Sequence, residues 1–286
     1  MPLEEKKLLE LQKTANEIRM LIIKMLVKAG SGHSAGPLGM ADVFTALYFN
    51  SLRYKADEPD WIDRDKVVLS NGHICPVLYA TLAKAGYFPI EELDTLRKID
   101  SRLQGHPHRT ALPGIENTSG PLGEGLSQAI GMALTAKMDK KDSYIYCLTS
   151  DGEHQEGNTW EAAMLAAKYK LNNLIQIIDF NYIQIDGRTP DVMPLDPMKD
   201  KYESFGWHVI EIDGNNINEI INAINDAKKV LDKPIFILAN TVPGKGVSFM
   251  ENDYKWHGKP PTEEEAVKAL KELEIIQSDI ERRIND

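Results

Sequence analysis

Cysteines and long apolar runs are scarce in this 286-residue sequence. The two cysteines, Cys75 and Cys147, form no Cys-x-x-Cys pair, and each is flanked by apolar residues. They therefore indicate neither a disulfide framework nor a zinc site, and they are typical of small core residues. The most apolar early run, from Met20 to Val27, contains Lys24 and is far too short to span a bilayer. We expect a soluble, reduced, cytoplasmic protein with no membrane partner.

Basic residues are also too few to favour binding of a polyanion. The chain has 33 Lys and Arg against 43 Asp and Glu, a net charge of −10 and a pI of about 5.3. Such a chain repels phosphate backbones, so we expect no nucleic-acid partner. An anionic ligand would need a local cluster of donors or a metal ion. The 42% hydrophobic and 27% charged content is that of an ordinary globular protein and excludes a low-complexity chain.

The middle of the chain alternates between patterns typical of strands and of helices. Short continuous apolar runs favour buried strands, and the segments between them have helical spacing. This order predicts the α/β class, with a parallel β-sheet covered by helices on both faces. No linker divides the chain, so residues 1–286 are interpreted as a single domain with a long first helix and a charged helical tail. The predicted helices are Leu8–Val27, Gly39–Ser51, Pro76–Ala85, Ile90–Ile99, Gly123–Met138, Gly157–Tyr169, Asn218–Val230 and Glu263–Arg282, and the predicted strands are Lys66–Leu69, Tyr144–Thr149, Leu174–Phe180, His208–Ile212 and Ile235–Ala239.

The segment from Ser101 to Gly120 is predicted to be a long loop. It lacks clean periodicity and is rich in glycine and proline. Loops of this length within a compact domain are usually functional or disordered. The loop ends in the run 119–125, Ser-Gly-Pro-Leu-Gly-Glu-Gly, whose glycines allow close backbone contact with a flat ligand. A plain helix start would also account for that run, and by itself the signal is weak.

Two polar side chains follow neighbouring strands of the predicted sheet. Asp151 and Asn181 each leave the end of a strand and are 30 positions apart, and one βαβ unit takes about that many residues. Both side chains can therefore meet at the carboxyl edge of the sheet, where ligands bind in such folds. A carboxylate and an amide oxygen suit a hard cation such as Mg²⁺. Singly, each would more often be a helix cap or a turn residue, but the pair favours a site for a metal-bridged diphosphate.

Four of the seven histidines lie directly beside a glycine in a predicted loop. One such histidine is most often a surface residue, but four of them favour convergence on one polar pocket. Imidazoles there could donate to phosphate or carbonyl oxygens and transfer protons near neutral pH. His208 is expected in a strand without a catalytic role, whereas His108 and His154 are ambiguous. The four histidines are His33, His73, His106 and His257.

These segments together resemble the transketolase family. Ser150-Asp151-Gly152, followed later by Asn181, is similar to the family's thiamine-diphosphate signature, which is Gly-Asp-Gly followed by Asn. The other matching motifs, in the family's order, are Gly32-His33, Gly36-Pro37-Leu38-Gly39, Ser70-Asn71-Gly72-His73, Gly105-His106-Pro107, Gly120-Pro121-Leu122-Gly123, Glu156-Gly157, Glu161-Ala162-Ala163, Leu171-Asn172-Asn173-Leu174, Asp179, Ile185-Asp186-Gly187 and Gly246 with His257-Gly258.

The resemblance covers only the first half of the family's chain, the diphosphate-binding domain of a thiamine-diphosphate-binding fold. The pyrimidine-binding and C-terminal domains are expected to be absent. The chain is thus similar to the N-terminal subunit of a split transketolase. This implies a separate C-terminal subunit that carries the pyrimidine-binding domain, in an assembly for which α₂β₂ is the simplest symmetric solution.

Roles for individual residues follow from the resemblance alone. It implies that Mg²⁺, which Ca²⁺ or Mn²⁺ can replace, binds to Asp151, the side chain of Asn181 and the backbone carbonyl of Ile183. The residues implied to contact thiamine diphosphate are His73, Gly152, Asn181 and His257 at the diphosphate, Gly120, Pro121 and Leu122 at the aminopyrimidine, and Glu156, with Glu161, at the subunit interface near the cofactor. The histidines implied to line the substrate channel and handle protons are His33, His73, His106 and His257.

The sequence departs from the family pattern at three places. Ser150 stands where the signature has its first glycine, which a negative φ accommodates. The usual His-Pro-Gly is His33-Ser34-Ala35, which changes the stiffness expected of that loop. A lysine of some relatives is Pro243 here, and we expect Lys245 to replace it in part.

The implied reaction moves a two-carbon ketol unit from a ketose phosphate to an aldose phosphate, as in the pentose phosphate pathway, with the cofactor as electron sink. It needs a glutamate from the pyrimidine-binding domain, so the chain alone is expected to be inactive. Alternatives are a subunit of dihydroxyacetone synthase, of a deoxyxylulose-phosphate synthase-like enzyme or of a 2-oxoacid dehydrogenase, and a non-catalytic regulatory homologue. The glycine–histidine loops argue against the dehydrogenase, and the retention of Asp151, Asn181 and the four loop histidines argues against the non-catalytic homologue.

Overall fold

The computed structural model describes residues 4–286. Within that range, no helix is both long enough and apolar enough to cross a membrane. The helices are α1 (Glu5–Ala29), α2 (Ala35–Gly39), α3 (Ala41–Ala46), α4 (Cys75–Lys84), α5 (Glu124–Met138), α6 (Gly157–Lys168), α7 (Thr189–Val192), α8 (Met198–Ser204), α9 (Ile217–Ala227) and α10 (Glu263–Asn285), and the strands are β1 (Lys66–Leu69), β2 (Ile145–Ser150), β3 (Leu174–Phe180), β4 (Ile183–Gln184), β5 (Gly187–Arg188), β6 (His208–Asp213) and β7 (Ile235–Asn240).

Five strands form one parallel sheet in the order β1-β2-β3-β7-β6, which confirms the predicted fold class. The pairing register places Ser150 of β2 opposite Asp179 of β3. The carboxyl ends of the two central strands are therefore level with each other. The loops that follow β2 and β3 start side by side, as the spacing of Asp151 and Asn181 requires.

Helices cover both faces of this sheet. All seven residues of β3 are buried, because successive side chains point to opposite faces and each face has its own apolar core. Ile175 and Ile177 belong to the core that includes residues of α1, α3, α4 and α9. Leu174 and Ile178 belong to the core that includes residues of α5 and α6. Cys75 and Cys147 are both buried, as expected.

The ends of the described chain pack together through α1 and α10. Thr262 caps α10: its hydroxyl accepts the Glu265 N–H, and the Glu265 carboxylate accepts the Thr262 N–H, a capping box. The Asn16 amide of α1 donates to the Leu273 carbonyl at 2.8 Å. A long segment, residues 241–262, joins β7 to α10 and passes over the carboxyl end of the sheet, where it brings His257 to the site.

Two helix predictions were partly wrong. The run Gly39–Ser51 contains α3 and a π-helical turn, Leu47–Ser51, and α2 precedes them. Gly39 allows close contact with the loop after β7, since a Cβ there would lie 2.9 Å from the Val242 carbonyl oxygen. In Ile90–Ile99 only a 3₁₀ helix forms, Ile90–Thr95, because Arg97 takes a φ of +59° that no right-handed helix continues.

The segment 181–207 contains short elements that were not predicted from the sequence. A two-stranded antiparallel hairpin, β4 with β5, is followed by α7 and α8. None of these elements is longer than seven residues, so hydrophobic periodicity has too few repeats to reveal them.

Candidate active site

Asp151 and Asn181 lie at the carboxyl edge of the sheet. Asp151 directly follows β2, and Asn181 directly follows β3. The Asp151 N–H donates to the Asp179 carbonyl at 3.2 Å, which extends the strand pairing by one residue. Tyr182 has a φ of +60°, which turns the chain after Asn181 back toward Asp151. We call Asp151, Asn181 and Ile183 the strand end of the site.

The Asp151 carboxylate is buried and accepts three hydrogen bonds, one on Oδ1 and two on Oδ2. One oxygen accepts the Gly152 N–H at 2.7 Å, and the other accepts the Tyr182 N–H at 2.8 Å and the Thr189 hydroxyl at 3.0 Å. Burial raises the pKa of Asp151 to about 6, although these three donors oppose the rise. A bound cation would restore the charged form, since a nearby positive charge favours a carboxylate.

Asp179 fixes the orientation of the Asn181 amide. The Asn181 amide nitrogen donates to Asp179 at 2.9 Å, so the amide oxygen is the group left for other contacts, and that oxygen accepts the Ile183 N–H at 3.0 Å. The Thr241 hydroxyl donates to the other Asp179 oxygen. Burial, together with the neighbouring Asp151, raises the pKa of Asp179 to about 7.

Four loops bring the predicted histidines to one place. The ring centroids of His33, His73 and His257 form a triangle with sides of 5.0, 5.2 and 5.4 Å. His106 lines the same cavity and is more exposed than the other three. These four residues lie far apart in the sequence, on the loops before α2, before α4, before α5 and before α10. We call them the histidine end of the site.

The histidine end is electrically neutral near pH 7. Burial lowers the pKa of His33 to about 4, with smaller contributions from His257, Arg97 and His106. Burial alone lowers the pKa of His257 to about 4, and it also lowers that of His73. In the described chain, the Nδ1 atoms of His33 and His257 are buried without a hydrogen-bond partner. Unpaired buried nitrogens of this kind are rare in folded proteins.

The strand end and the histidine end line one cavity of about 240 Å³. That volume approaches the lower end of the range for small-molecule pockets. The residues that line it are His33, His73, His106, Gly120, Leu122, Ser150, Asp151, Gly152, Glu153, Asn181, Ile183, Gln184, Ile185 and His257.

Four residues named from the sequence do not line this cavity. Pro121 is exposed beside it, while Glu156 and Glu161 lie exposed at the start of α6 and within that helix. Lys245, expected to replace a lysine of some relatives, is half-buried and also lies outside the cavity lining. Of the ambiguous histidines, His108 is exposed, and His154 is a buried residue whose ring bonds to the Ser150 carbonyl at 2.6 Å and to the Tyr202 hydroxyl at 2.8 Å.

Glu153, a buried residue at the cavity wall, was not predicted from the sequence. Its carboxylate accepts hydrogen bonds from the Ser70 hydroxyl, from the Gly123 N–H at 2.7 Å and from the Ser150 N–H at 3.1 Å. It therefore joins the loops after β1 and β2 to the start of α5. A glutamate just after Asp-Gly in a 3₁₀ turn looks like a solvated residue, and no local pattern distinguishes it.

The donor set at the strand end fits a hard divalent cation. Carboxylate, amide and backbone carbonyl oxygens are the ligands that Mg²⁺ and Ca²⁺ prefer, and Asp151, Asn181 and Ile183 line the cavity together. Within residues 4–286, no three His, Cys, Asp or Glu side chains are placed to hold a metal. A cation here would thus depend on the amide, on the backbone oxygen and on a ligand that supplies further oxygens.

The sequence of this chain matches one protein family along nearly its whole length. The family model described as transketolase, thiamine diphosphate binding domain, matches residues 11–278. The chain therefore belongs to the transketolase family and corresponds to its N-terminal, thiamine-diphosphate-binding part.

Among its relatives, separate subunits match this chain over their whole length. The 6-deoxy-6-sulfo-D-fructose transketolase subunit SqwG of Clostridium sp. (strain MSTE9) is 46% identical over 266 residues, which cover 93% of this chain and 97% of the relative. An apulose-4-phosphate transketolase subunit of Phocaeicola vulgatus is 42% identical over 277 residues, which cover 97% of this chain and 98% of the relative.

Single-chain transketolases are about twice as long as this chain. Human transketolase is 39% identical over 272 residues, which cover 94% of this chain but 43% of the relative. The crystal structure of transketolase from Campylobacter jejuni subsp. jejuni NCTC 11168 superposes with a TM-score of 0.87 at 37% identity, over 92% of this chain and 42% of that one. The chain thus spans less than half the length of these relatives.

Proposed function

We propose that the chain is the N-terminal subunit of a split transketolase. With a separate C-terminal subunit, it transfers a two-carbon ketol unit from a ketose phosphate to an aldose phosphate. The observation that carries this proposal is the single cavity shared by the strand end and the histidine end, in a chain of the transketolase family. The relatives that match over their full length are themselves named as subunits.

At the strand end, Mg²⁺ and the diphosphate of the cofactor bind together. Asp151, the Asn181 oxygen and the Ile183 carbonyl are the protein ligands that hold the cation, and Ca²⁺ or Mn²⁺ can take its place. Gly152 leaves room beside them, since a Cβ there would meet only the Gln184 side chain, at 3.6 Å or more. Thiamine diphosphate, when bound, supplies a carbon nucleophile and an electron sink.

At the histidine end, the chain positions the sugar and exchanges protons with it. Neutral imidazoles both donate and accept hydrogen bonds, so they can hold substrate hydroxyls and move a proton at the carbonyl oxygen. The lining of one cavity by all four histidines supports this role. Burial keeps these rings unprotonated at neutral pH, so each offers one hydrogen-bond donor and one acceptor to the sugar.

The mouth of the cavity carries exposed apolar residues that fit a partner subunit. Ile185 is 65% exposed and Leu122 is 36% exposed, although both line the cavity. Exposed apolar groups around a polar site mark surfaces that another molecule covers. Glu156 and Pro121 are exposed beside them. We assign this rim to the C-terminal subunit, and an α₂β₂ assembly satisfies two-fold symmetry.

The test is a tagged pull-down from the source cells with Mg²⁺ and thiamine diphosphate present. The mass of the co-eluting chain is measured, and ketol transfer from xylulose 5-phosphate to ribose 5-phosphate is assayed with and without that chain. Because relatives are named for other sugars, 6-deoxy-6-sulfo-D-fructose and apulose 4-phosphate are assayed as donors in parallel. A second chain that switches transfer on supports the proposal. Transfer by the purified chain alone at a normal rate contradicts the need for a partner, and inactivity of the complex with every donor contradicts the activity.

A further inference from the structure

Arg97 lies beside the histidine end without lining the cavity. It follows the 3₁₀ helix Ile90–Thr95, and its backbone has a φ of +59°, which a residue other than glycine rarely adopts. Its N–H donates to the Leu103 carbonyl at 2.9 Å, so the residue is held against the long loop that carries His106. The side chain is exposed and is absent from the cavity wall.

The Arg97 guanidinium joins two of the histidine loops. One nitrogen, Nη1, donates to the Ser31 hydroxyl at 3.0 Å, and the other, Nη2, donates to the Gly105 carbonyl at 3.2 Å. The planar group lies close against Gly105, where a Cβ would fall 2.9 Å from the guanidinium carbon. Ser31 stands two residues before His33, and the Gly105 carbonyl belongs to the peptide bond that leads into His106. One side chain thus spans both loops.

Helix α4 also holds the His106 loop. The Cys75 thiol lies 3.2 Å from the same Gly105 carbonyl oxygen, and the Tyr79 hydroxyl donates to the Gln104 carbonyl at 2.8 Å. Helix α4 begins two residues after His73. The His106 loop is therefore held by two groups. Helix α4 connects it to the segment of His73, and Arg97 connects it to the segment of His33.

Arg97 also acts on the charge state of the two rings. His33 is faced by His73, His257, His106 and Arg97, each from a different loop, and His106 is faced by Arg97. The pKa of His33 and that of His106 are both lowered, mainly by burial, and the arginine cation contributes to both shifts. Charge and geometry therefore favour the same state, two neutral rings at a fixed separation.

We propose that Arg97 is a positioning residue that sets the separation of His33 and His106 across the substrate channel by tying their loops together. The inference rests on the proposed function, and it adds a residue outside the cavity to those that the reaction depends on. Small displacements of reacting groups are costly, since misplacement by about 1 Å can lower a rate about 100-fold.

Two variants of Arg97 separate the effect of its two hydrogen bonds, to Ser31 and Gly105, from the effect of its charge. Arg97→Lys keeps the cation but loses the planar fork that spans both loops, and Arg97→Gln loses the cation as well. The matched control is Arg102→Gln, another exposed arginine nearby, whose guanidinium binds Glu92 at 2.7 and 2.8 Å and contacts neither Ser31 nor Gly105. In the complex with its partner, both Arg97 variants should lose about tenfold in kcat/KM for the ketose donor, with cofactor affinity and melting temperature equal to those of Arg102→Gln.

A charge readout does not depend on activity. Histidine NMR titration of the chain itself should show the pKa values of His33 and His106 rising in Arg97→Gln but not in Arg97→Lys. Wild-type kcat/KM in both variants would overturn the proposal, as would a loss that follows the melting temperature. A loss that vanishes with unphosphorylated donors would instead make Arg97 a direct anion ligand, which also overturns it. If the wild-type complex transfers no ketol unit, the proposed function fails, and the titration still tests the effect of Arg97 on the two rings.

Discussion

The two ends of the cavity satisfy their polar groups in opposite ways. At the strand end, Asp151 accepts three hydrogen bonds from its own surroundings, and Asn181 is held by Asp179 and by Ile183. At the histidine end, buried nitrogens of His33 and His257 have no partner within the described chain. The strand end is thus held by the chain's own hydrogen bonds, whereas the described part of the chain leaves two buried nitrogens of the histidine end unpaired. Under the proposed function this difference is useful, since a cofactor anchor benefits from rigidity and a substrate channel must accept and release its ligand in each turnover.

The largest expected effect comes from removing the charge at the strand end. Asp151→Asn should weaken Mg²⁺-dependent binding of thiamine diphosphate by about 1,000-fold, because breaking a buried charge interaction costs about 3–5 kcal/mol. Titration calorimetry of the complex with its partner measures this loss. Asp191→Asn, an exposed aspartate on α7, is the matched control and should bind as the wild type does. If Asp151→Asn bound thiamine diphosphate with wild-type affinity, the strand end would not be the part of the cavity that anchors the cofactor.

A smaller and different loss is expected at the histidine end. His33→Ala should lower kcat/KM about 100-fold, within the range for lost proton transfer, while thiamine diphosphate affinity stays at the wild-type value. Steady-state kinetics and calorimetry on one preparation separate the two quantities. The control is His108→Ala, an exposed histidine on the long loop. If His33→Ala weakened cofactor binding as strongly as Asp151→Asn does, the two ends would act as one site.

The smallest expected effect concerns stability in acid. His33 and His257 have pKa values of about 4 when folded, below the unfolded value of 6.5, so the unfolded chain binds more protons between those limits. The free energy of unfolding should therefore fall as the pH drops from 6.5 towards 4. Since both rings are only partly buried, each should account for about 1 kcal/mol of the fall in the free energy of unfolding between pH 7 and pH 5.

Urea unfolding at several pH values measures that contribution. His33→Gln should reduce the decline in stability on acidification, and His208→Gln, an exposed histidine on β6, is the matched control. A decline that is unchanged in His33→Gln would show that the histidine end carries no electrostatic cost in the folded state.

The strand end could be predicted because its signal is local. Asp151 and Asn181 each follow an apolar strand, and their 30-residue spacing is that of one βαβ unit. Strand β3 was predicted with its observed bounds, Leu174–Phe180, since a continuous buried run in the centre of a parallel sheet leaves little room for error. Here local pattern and global fold point to the same answer.

The histidine end could be predicted only as a group of candidates. Glycine beside His33, His73, His106 and His257 shows that each lies in a loop, but nothing in the sequence gives the distances of 5.0–5.4 Å between three of the rings. Those distances depend on how four loops pack. Arg97 and Glu153 were missed for the same reason, because their partners lie in other segments of the chain. The interface role of Glu156 stays a prediction, since the residue is exposed outside the cavity.

One hydrogen bond joins two segments of the site that are made far apart in time during synthesis. The Ser34 hydroxyl donates to the Lys259 carbonyl at 2.6 Å, across 225 positions of sequence, and this contact holds the His33 loop against the segment that carries His257. Every hydrogen-bond partner of Asp151 has been made once the ribosome passes Thr189. The histidine triangle needs about seventy further residues, up to His257. Such a delay is typical of sites built from distant segments. The hydrogen-bond partners of Asp151 are thus complete early, whereas Asp179 and the histidine triangle both wait for the segment that begins at Thr241.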